Sequence, residues 1–158
     1  MYYYLCFMED GHIKKSHNKT LLLYHIVLPL KYRRSVITES IGSGLRDICL
    51  SISERYEINF LEIGYEPDHV HFLVQSVPML SVSEVVTIIK SFTARELYRL
   101  YPEIKEQLWG GNFWTSGYYV NTVGQYGSKE VILRYIESQG IGNSYKKVHD
   151  GQLSLFEF

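Results

Sequence analysis

Two pairs of residues in this chain have types and spacings that suit metal binding and nucleophilic chemistry. The first pair is His69 and His71, which flank Val70 in an apolar run that begins after Pro67. This run predicts a β-strand, in which successive side chains point to opposite faces. Both imidazoles would therefore project from one face, while Val70 and Phe72 face the core. Two adjacent imidazoles supply half of a metal site.

The second pair is Tyr135 and Gln139, which lie four residues apart in a stretch that predicts a helix. This spacing places both side chains on one helix face, where Gln139 offers a neutral oxygen ligand and Tyr135 a phenol. If the helix met the strand, the result would be a metal site with a tyrosine nucleophile beside it. The alternative is a structural histidine pair and one more aromatic residue among fourteen tyrosines.

The elements that must position these residues follow from hydrophobic periodicity. Strands are predicted at 21–30, 57–65, 69–77 and 113–123, and helices at 38–55, 83–101 and 128–139. The order β-α-β-β-α-β predicts an α+β, ferredoxin-like (RRM-like) fold: an antiparallel sheet with helices on one face, plus a C-terminal helix that carries the tyrosine. Residues 1–19 are predicted to be an N-terminal strand or arm, in which 11–19 form a loop or turn.

Length and charge limit the classes of protein that the chain can represent. With 158 residues, the chain is expected to form one domain, spanning residues 20–140, with a tail at 141–158. The net charge of −1 excludes a global basic field, so any nucleic-acid site must be a local patch. Cys6 and Cys49 have no paired spacing, which suits a reducing cytoplasm. No signal peptide or apolar run of roughly 18 residues predicts a membrane partner.

Four ordered segments carry a resemblance to a known family. They are Tyr24-His25-Ile26-Val27 leading to Lys31-Tyr32-Arg33-Arg34, then Pro67-Asp68-His69-Val70-His71, then Trp109-Gly110-Gly111-Asn112-Phe113-Trp114, and finally Tyr135-Ile136-Glu137-Ser138-Gln139. Across roughly residues 20–140 the chain resembles the single-tyrosine transposases of the insertion-sequence 200/605 family, which are HUH (histidine–hydrophobic–histidine) nucleases. Each motif alone has low specificity, whereas the ordered set is specific.

The resemblance implies an enzyme that cleaves and rejoins single-stranded DNA at hairpins. His69, His71 and Gln139 would hold Mg²⁺ or Mn²⁺, and Tyr135 would form a covalent 5′-phosphotyrosine with release of a 3′-hydroxyl. Such enzymes are homodimers in which the tyrosine helix of one subunit commonly completes the site of the other. The resemblance therefore also implies composite active sites.

Basic residues near the first strand are candidates for DNA contact. Lys31, Arg33 and Arg34 form the densest basic cluster, and Lys90 and Arg95 lie on the second predicted helix. A solvated strand end would have the same composition.

The C-terminal tail ends in an apolar peptide after a polar stretch. The peptide is Gln152-Leu153-Ser154-Leu155-Phe156, and it resembles the short segments by which bacterial replication and repair proteins bind the sliding clamp. Leucine and phenylalanine side chains would fill an apolar groove on the clamp. The alternative is that the tail packs on its own domain.

Other functions remain to be weighed against the transposase. A domesticated relative that acts on chromosomal palindromes would share all of this chemistry. A non-catalytic ferredoxin-like module would need stacking aromatic residues on its two central strands, and the glycine-aromatic pattern of such modules is absent. A two-histidine phosphodiesterase would need a second His-x-Thr/Ser element, which the chain lacks.

Overall fold

A computed structural model describes residues 11–124 and 146–147 of the chain. The elements in chain order are β1 (Ile13–Lys15), β2 (Asn18–Thr20), β3 (Leu22–Pro29), α1 (Glu39–Arg55), β4 (Asn59–Glu66), β5 (His69–Ser76), α2 (Val82–Leu100), α3 (Ile104–Gln107), β6 (Tyr119–Val123) and β7 (Lys146–Lys147). A single 3₁₀ turn, Lys31–Arg33, follows β3.

Alternating hydrophobicity organises the main sheet, whose strand order is β6-β3-β5-β4-β7 with every pair antiparallel. The segment β3-α1-β4-β5-α2-β6 is the predicted β-α-β-β-α-β arrangement, with β3 and β5 at the centre. This confirms the α+β, ferredoxin-like fold. The sheet has two faces of different character, and the helices cover one of them.

The helix-covered face contains the main hydrophobic core. Ile26 on β3 and Val70, Phe72 and Val74 on β5 are all buried in it, together with Leu45 of α1 and other apolar residues of both helices. Because side chains alternate along a strand, the residues between these positions must face the other way. The core therefore orients the histidines of β5.

Both long helices begin at side-chain caps. The hydroxyl of Thr38 accepts a hydrogen bond from the backbone N–H of Ile41, as predicted for α1. In α2 the cap is Ser81, in a reciprocal capping box with Glu84. The sequence prediction began this helix at Ser83, one residue after its first residue, Val82.

The structure differs from the prediction in several short segments, among them the helix α3, which was not predicted. Residues 11–19 contain two strands of a small hairpin, β1 and β2, rather than only a loop. The last strand begins at Tyr119 rather than at Phe113, since Phe113 and Trp114 are buried in the core and make only an isolated bridge to Leu30. Strand β7, which pairs with β4, was not predicted.

The third predicted helix, at 128–139, lies outside the described residues. Within the described part of the chain, no helix is long and apolar enough to span a membrane.

Candidate active site and nucleic-acid interface

The two histidines predicted as metal ligands lie side by side on β5, on the sheet face opposite the helices. Their ring centroids are 5.0 Å apart and their planes are inclined by 68°. Val70 and Phe72 on either side of His71 are fully buried in the core. Strand alternation thus places both imidazoles on one face, as predicted. Each imidazole is also held by a different neighbouring side chain.

His69 is oriented by the carboxylate of the preceding residue. Nδ1 of His69 lies 2.6 Å from Oδ1 of Asp68, and Oδ2 of Asp68 lies 2.9 Å from Nε of Arg33. Burial raises the pKa of Asp68, but the hydrogen bond to His69 and the charge of Arg33 outweigh this effect and lower it. Because an ionised carboxylate can only accept, Nδ1 of His69 is the donor in this contact, and in the neutral imidazole the lone pair is then on Nε2.

His71 is held by a third imidazole, that of His25 on β3. Nε2 of His25 and Nδ1 of His71 are 3.0 Å apart, and the two ring planes are inclined by only 10° with a 5.3 Å centroid separation. The register explains this contact, because Val27 is the direct partner of His71 and His25 is therefore its diagonal neighbour. Both side chains are buried, with 3% exposure for His71 and 5% for His25.

The electrostatics of this cluster favour neutral imidazoles. Burial, reinforced by the neighbouring His69 and His25, lowers the pKa of His71 to about 4. Burial also lowers the pKa of His25, and interaction with the side chain of Asn121 partly offsets that shift. A neutral imidazole has a lone pair to offer, so these shifts suit metal coordination at neutral pH.

The donor set fits a divalent metal with open positions. His69 and His71 each engage Nδ1 in a side-chain contact, so the metal-binding nitrogen of each would be Nε2. Within residues 11–124 and 146–147, no group of three or more His, Cys, Asp and Glu side chains is arranged to hold a metal. The described residues thus include two of the three predicted ligands, His69 and His71, and the third, Gln139, lies outside them.

A basic turn, formed by residues 31–34, lies next to this cluster, where the chain leaves β3. Tyr32 and Arg33 both adopt left-handed backbone conformations, with φ of 58° and 53°, which is unusual for residues other than glycine. The turn leaves the Tyr32 ring 65% exposed, with Nζ of Lys31 5.2 Å from its centroid. Arg33 is still partly exposed while it contacts Asp68. The turn therefore exposes an aromatic ring among cations, and its Arg33 contacts Asp68, the hydrogen-bond partner of His69.

Two shallow grooves border the basic turn. One, of about 570 Å³, is lined by Arg34 and by Trp109, whose side chain is 83% exposed. The other, of about 430 Å³, is lined by Lys31 and Lys90. Sites for single-stranded nucleic acid combine cations with exposed aromatic rings, as the first groove does, although Glu106 also lines it.

The two basic residues predicted on α2 have different surroundings. Nζ of Lys90 donates to the carbonyls of Thr115, Ser116 and Gly117 at 2.8, 3.1 and 2.9 Å, so its three donors hold the loop before β6. Arg95 is exposed, lies 4.9 Å from the ring of Phe92 and pairs with Glu96. Contacts of either residue with DNA stay predictions, and in Lys90 they would compete with the loop carbonyls.

Comparison with known proteins gives the family. Residues 18–139 match the family described as "Transposase IS200 like". The ISDra2 transposase TnpA of Deinococcus radiodurans is 36% identical over 118 residues, which cover 75% of this chain and 84% of that protein. The transposase for insertion sequence element IS200 of Salmonella typhimurium is 34% identical over 128 residues, 78% of this chain and 80% of that protein.

This chain belongs to the IS200-like transposase family. Solved structures agree with the assignment. A putative transposase from Deinococcus radiodurans has a TM-score of 0.66 at 31% identity, covering 80% of this chain and 96% of that one. A REP-associated tyrosine transposase bound to a REP hairpin shares the fold, with a TM-score of 0.53 at 14% identity over 82% of this chain and 75% of that one. The resemblance found in the sequence is confirmed.

Some predicted residues of the transposase lie outside the described part of the chain. They are Tyr135 and Gln139 of the predicted helix and the tail residues 152–156. Their roles stay predictions.

Sequence reasoning missed three residues that contact or adjoin the histidine pair. Asp68 and His25 stood in the quoted motifs without a role, although an acidic residue next to a predicted ligand is a usable signal. Tyr32 was passed over between basic neighbours, and nothing in its type predicts a left-handed backbone.

Proposed function

We propose that this transposase cleaves and rejoins single-stranded DNA at hairpins through a covalent bond to Tyr135. The observation that carries the proposal is the geometry of His69 and His71, two adjacent imidazoles whose Nδ1 atoms are both engaged by neighbours. In a member of the IS200-like family, that arrangement supports the histidine pair of an HUH nuclease.

The chain's own residues would divide the work in the following way. His69, His71 and Gln139 bind a divalent ion, Mg²⁺ or Mn²⁺, which when bound withdraws charge from a phosphate oxygen. The phenol of Tyr135 gives up its proton to solvent and attacks the phosphorus, and the bond to the 3′ oxygen breaks as that oxygen takes up a proton. The products are a 5′-phosphotyrosine and a 3′-hydroxyl. A phenolate is also a good leaving group, so a second 3′-hydroxyl can reverse the step without ATP.

The basic turn and its grooves are the proposed DNA interface. Lys31 and Arg34 contact phosphates, and the exposed rings of Tyr32 and Trp109 stack on unpaired bases. Arg33 reaches both a phosphate and Asp68, which connects the interface to the metal ligands. The hairpin bound by the REP-associated relative supports the choice of a hairpin substrate.

The strand geometry argues against a non-catalytic RNA-binding module. Such modules stack bases on aromatic residues that project from the two central strands. Here the outward positions at the middle of β3 and β5 are His25, Val27, His71 and Leu73, none of them aromatic residues of the kind that stack on bases, while Phe72 points into the core. A domesticated transposase, which acts on chromosomal palindromes, would use the same residues and differ only in its DNA.

A covalent adduct is the direct test. The full-length protein is incubated with Mn²⁺ and a single-stranded hairpin oligonucleotide that is labelled on the 3′ side of the cleavage region, and products are separated on a denaturing gel. We expect a labelled protein–DNA adduct that Tyr135→Phe abolishes while hairpin binding is unchanged. The matched control is Tyr118→Phe, which removes the hydroxyl of an exposed tyrosine near Lys90 and should leave the adduct intact. An adduct that persists in Tyr135→Phe would refute the assignment of the nucleophile.

We further propose that the active enzyme is a homodimer with composite sites. Mixing subunits tests this point, because His69→Ala removes a ligand and Tyr135→Phe removes the nucleophile. If each site combines two subunits, a mixed dimer regains one intact site, and equal mixing restores about a quarter of the wild-type adduct. If the tyrosine acts within its own subunit, mixing restores none.

The tail proposal is independent of catalysis. We propose that residues 152–156 bind the bacterial sliding clamp and so bring the transposase to replication forks. A tail peptide should capture purified clamp, and Leu155→Ala combined with Phe156→Ala should abolish capture. Dissociation constants weaker than micromolar for the native peptide would reject the idea.

A further inference from the structure

His25 is buried, polar and close to the proposed reaction centre, yet it has no role in the proposed mechanism. It lies at the middle of β3, pairs directly with Asn121 of β6 and Leu73 of β5, and packs edge-on against Tyr119 with a centroid separation of 6.3 Å. An aliphatic side chain would suit a position with 5% exposure better, unless the imidazole makes a specific contact. The imidazole interacts with the side chain of Asn121, and its Nε2 lies 3.0 Å from Nδ1 of His71.

The contact constrains the proton of His71. A neutral imidazole carries one N–H and one lone pair, and a metal ligand must offer its lone pair to the ion. Since Nδ1 of His71 faces His25, the ion must be bound through Nε2. The proton of His71 must then be on Nδ1, and Nε2 of His25 must accept it.

The opposite arrangement would disable the ligand. If Nε2 of His25 carried the proton and donated to His71, the proton of His71 would move to Nε2, the nitrogen that the ion needs. The tautomer of His25 therefore decides which nitrogen of His71 can bind metal. Carboxylates commonly do this work, as Asp68 does for His69.

We propose that His25 is a positioning residue that accepts the Nδ1 proton of His71 and so presents Nε2 of His71 to the metal. The inference rests on the proposed function, in which His71 is a ligand. It also assigns a role to the Tyr24-His25-Ile26-Val27 motif. The pair spans 46 residues and two central strands, so its geometry is set by strand register rather than by local sequence.

Two substitutions separate hydrogen bonding from packing. His25→Phe keeps a flat ring against His71 and Tyr119 but removes the acceptor. His25→Gln loses the ring but can place an amide oxygen near the former position of Nε2. We expect the Mn²⁺ dissociation constant, measured by electron paramagnetic resonance without DNA, to rise about 10–100-fold in His25→Phe and to stay close to wild type in His25→Gln.

Either of two results would overturn the inference: wild-type Mn²⁺ affinity in His25→Phe, or equal losses in both variants when circular dichroism shows both folded. Equal losses would mean that His25 acts by packing alone.

A second measurement does not depend on metal binding or on the folding of a variant. Two-bond ¹H–¹⁵N correlations of the metal-free wild-type protein report which nitrogen of His71 carries the proton. We expect Nδ1–H for His71, and Nε2–H would overturn the inference. Failure of the wild type to bind Mn²⁺ would instead count against the proposed metal site, while this tautomer measurement would still decide the role of His25.

Discussion

The two faces of the central sheet are built from the same strands but follow different rules. On the helix-covered face, Ile26, Val70, Phe72 and Val74 belong to a continuous apolar core. On the opposite face, the middle of the sheet presents imidazoles, while apolar residues such as Leu23 and Leu73 form a small separate cluster towards one end. One face is an ordinary ferredoxin-like core, and the other, the ligand face, carries the proposed metal ligands His69 and His71.

A single strand can therefore contribute to the hydrophobic core on one face and to the histidine cluster on the other without conflict. Phe72 and His71 are neighbours in sequence, and the first packs under the helices while the second meets His25 and His69. Because alternation keeps the two sets apart, the ligand face can carry costly buried polar groups while the core face supplies the stability. Substitutions on the two faces should then separate activity from folding.

The largest effect is expected on the ligand face. His69→Ala removes a proposed metal ligand, and we expect adduct formation with the hairpin substrate to fall at least about 100-fold, since even an outer-shell partner is worth 10–100-fold. The side chain makes its polar contact with Asp68 at a sheet end, so the free energy of unfolding should change by no more than about 1 kcal/mol. Gel assays and urea titrations measure the two quantities.

The matched control is His17→Ala, which removes an exposed histidine in the turn between β1 and β2. It should leave both quantities unchanged. If the His69→Ala protein formed the adduct at the wild-type rate, the assignment of a metal ligand to this face would be wrong.

The core face should respond in the opposite way. Phe72 is fully buried and packs edge-to-face on Phe60 at 5.7 Å. Phe72→Ala should lower the free energy of unfolding by about 3–5 kcal/mol through lost burial and a residual cavity. Urea titration measures this loss, and protein that remains folded at low temperature should still form the adduct. If Phe72→Ala cost less than His69→Ala, the assignment of the core to this face would be wrong.

Sequence patterns predicted one face better than the other. The alternation of His69, Val70, His71 and Phe72 in β5 and the Pro67-Asp68 turn were enough to predict the β4–β5 hairpin and the shared direction of His69 and His71. The contact of His71 with His25 was beyond sequence reasoning, because it joins residues 46 positions apart through strand order and register. Phe113 and Trp114 have strand propensity but are core residues of a loop, where Trp114 Nε1 donates to Thr93. Tertiary contacts overrode local propensity there.

The interface between α1 and the sheet offers a second, smaller test of the core face. A Cβ added at Gly42 would overlap the ring of Tyr65 on β4, which is itself buried. We expect Gly42→Ala to reduce the free energy of unfolding by about 1–3 kcal/mol, because overpacking outweighs the better helix propensity of alanine. Thermal unfolding followed by circular dichroism measures the loss. Gly117→Ala, where a Cβ meets nothing within 4 Å, is the control, and equal effects of the two would contradict close packing at Gly42.

The last prediction concerns the pH dependence of the free energy of unfolding and returns to the ligand face. The pKa of His71 is lowered from 6.5 to about 4 by burial and by the neighbouring imidazoles, so below pH 6.5 the unfolded chain binds a proton that the folded chain does not. The free energy of unfolding should therefore decrease as the pH falls from about 7 towards 4, with His71 contributing about 2 kcal/mol by pH 5. Urea titrations in the presence of a chelator, at pH 7.5 and pH 5, would measure this difference in wild type and in His71→Gln. The variant should show the smaller difference because it lacks the group, whereas equal differences would place the pH dependence on residues away from the ligand face.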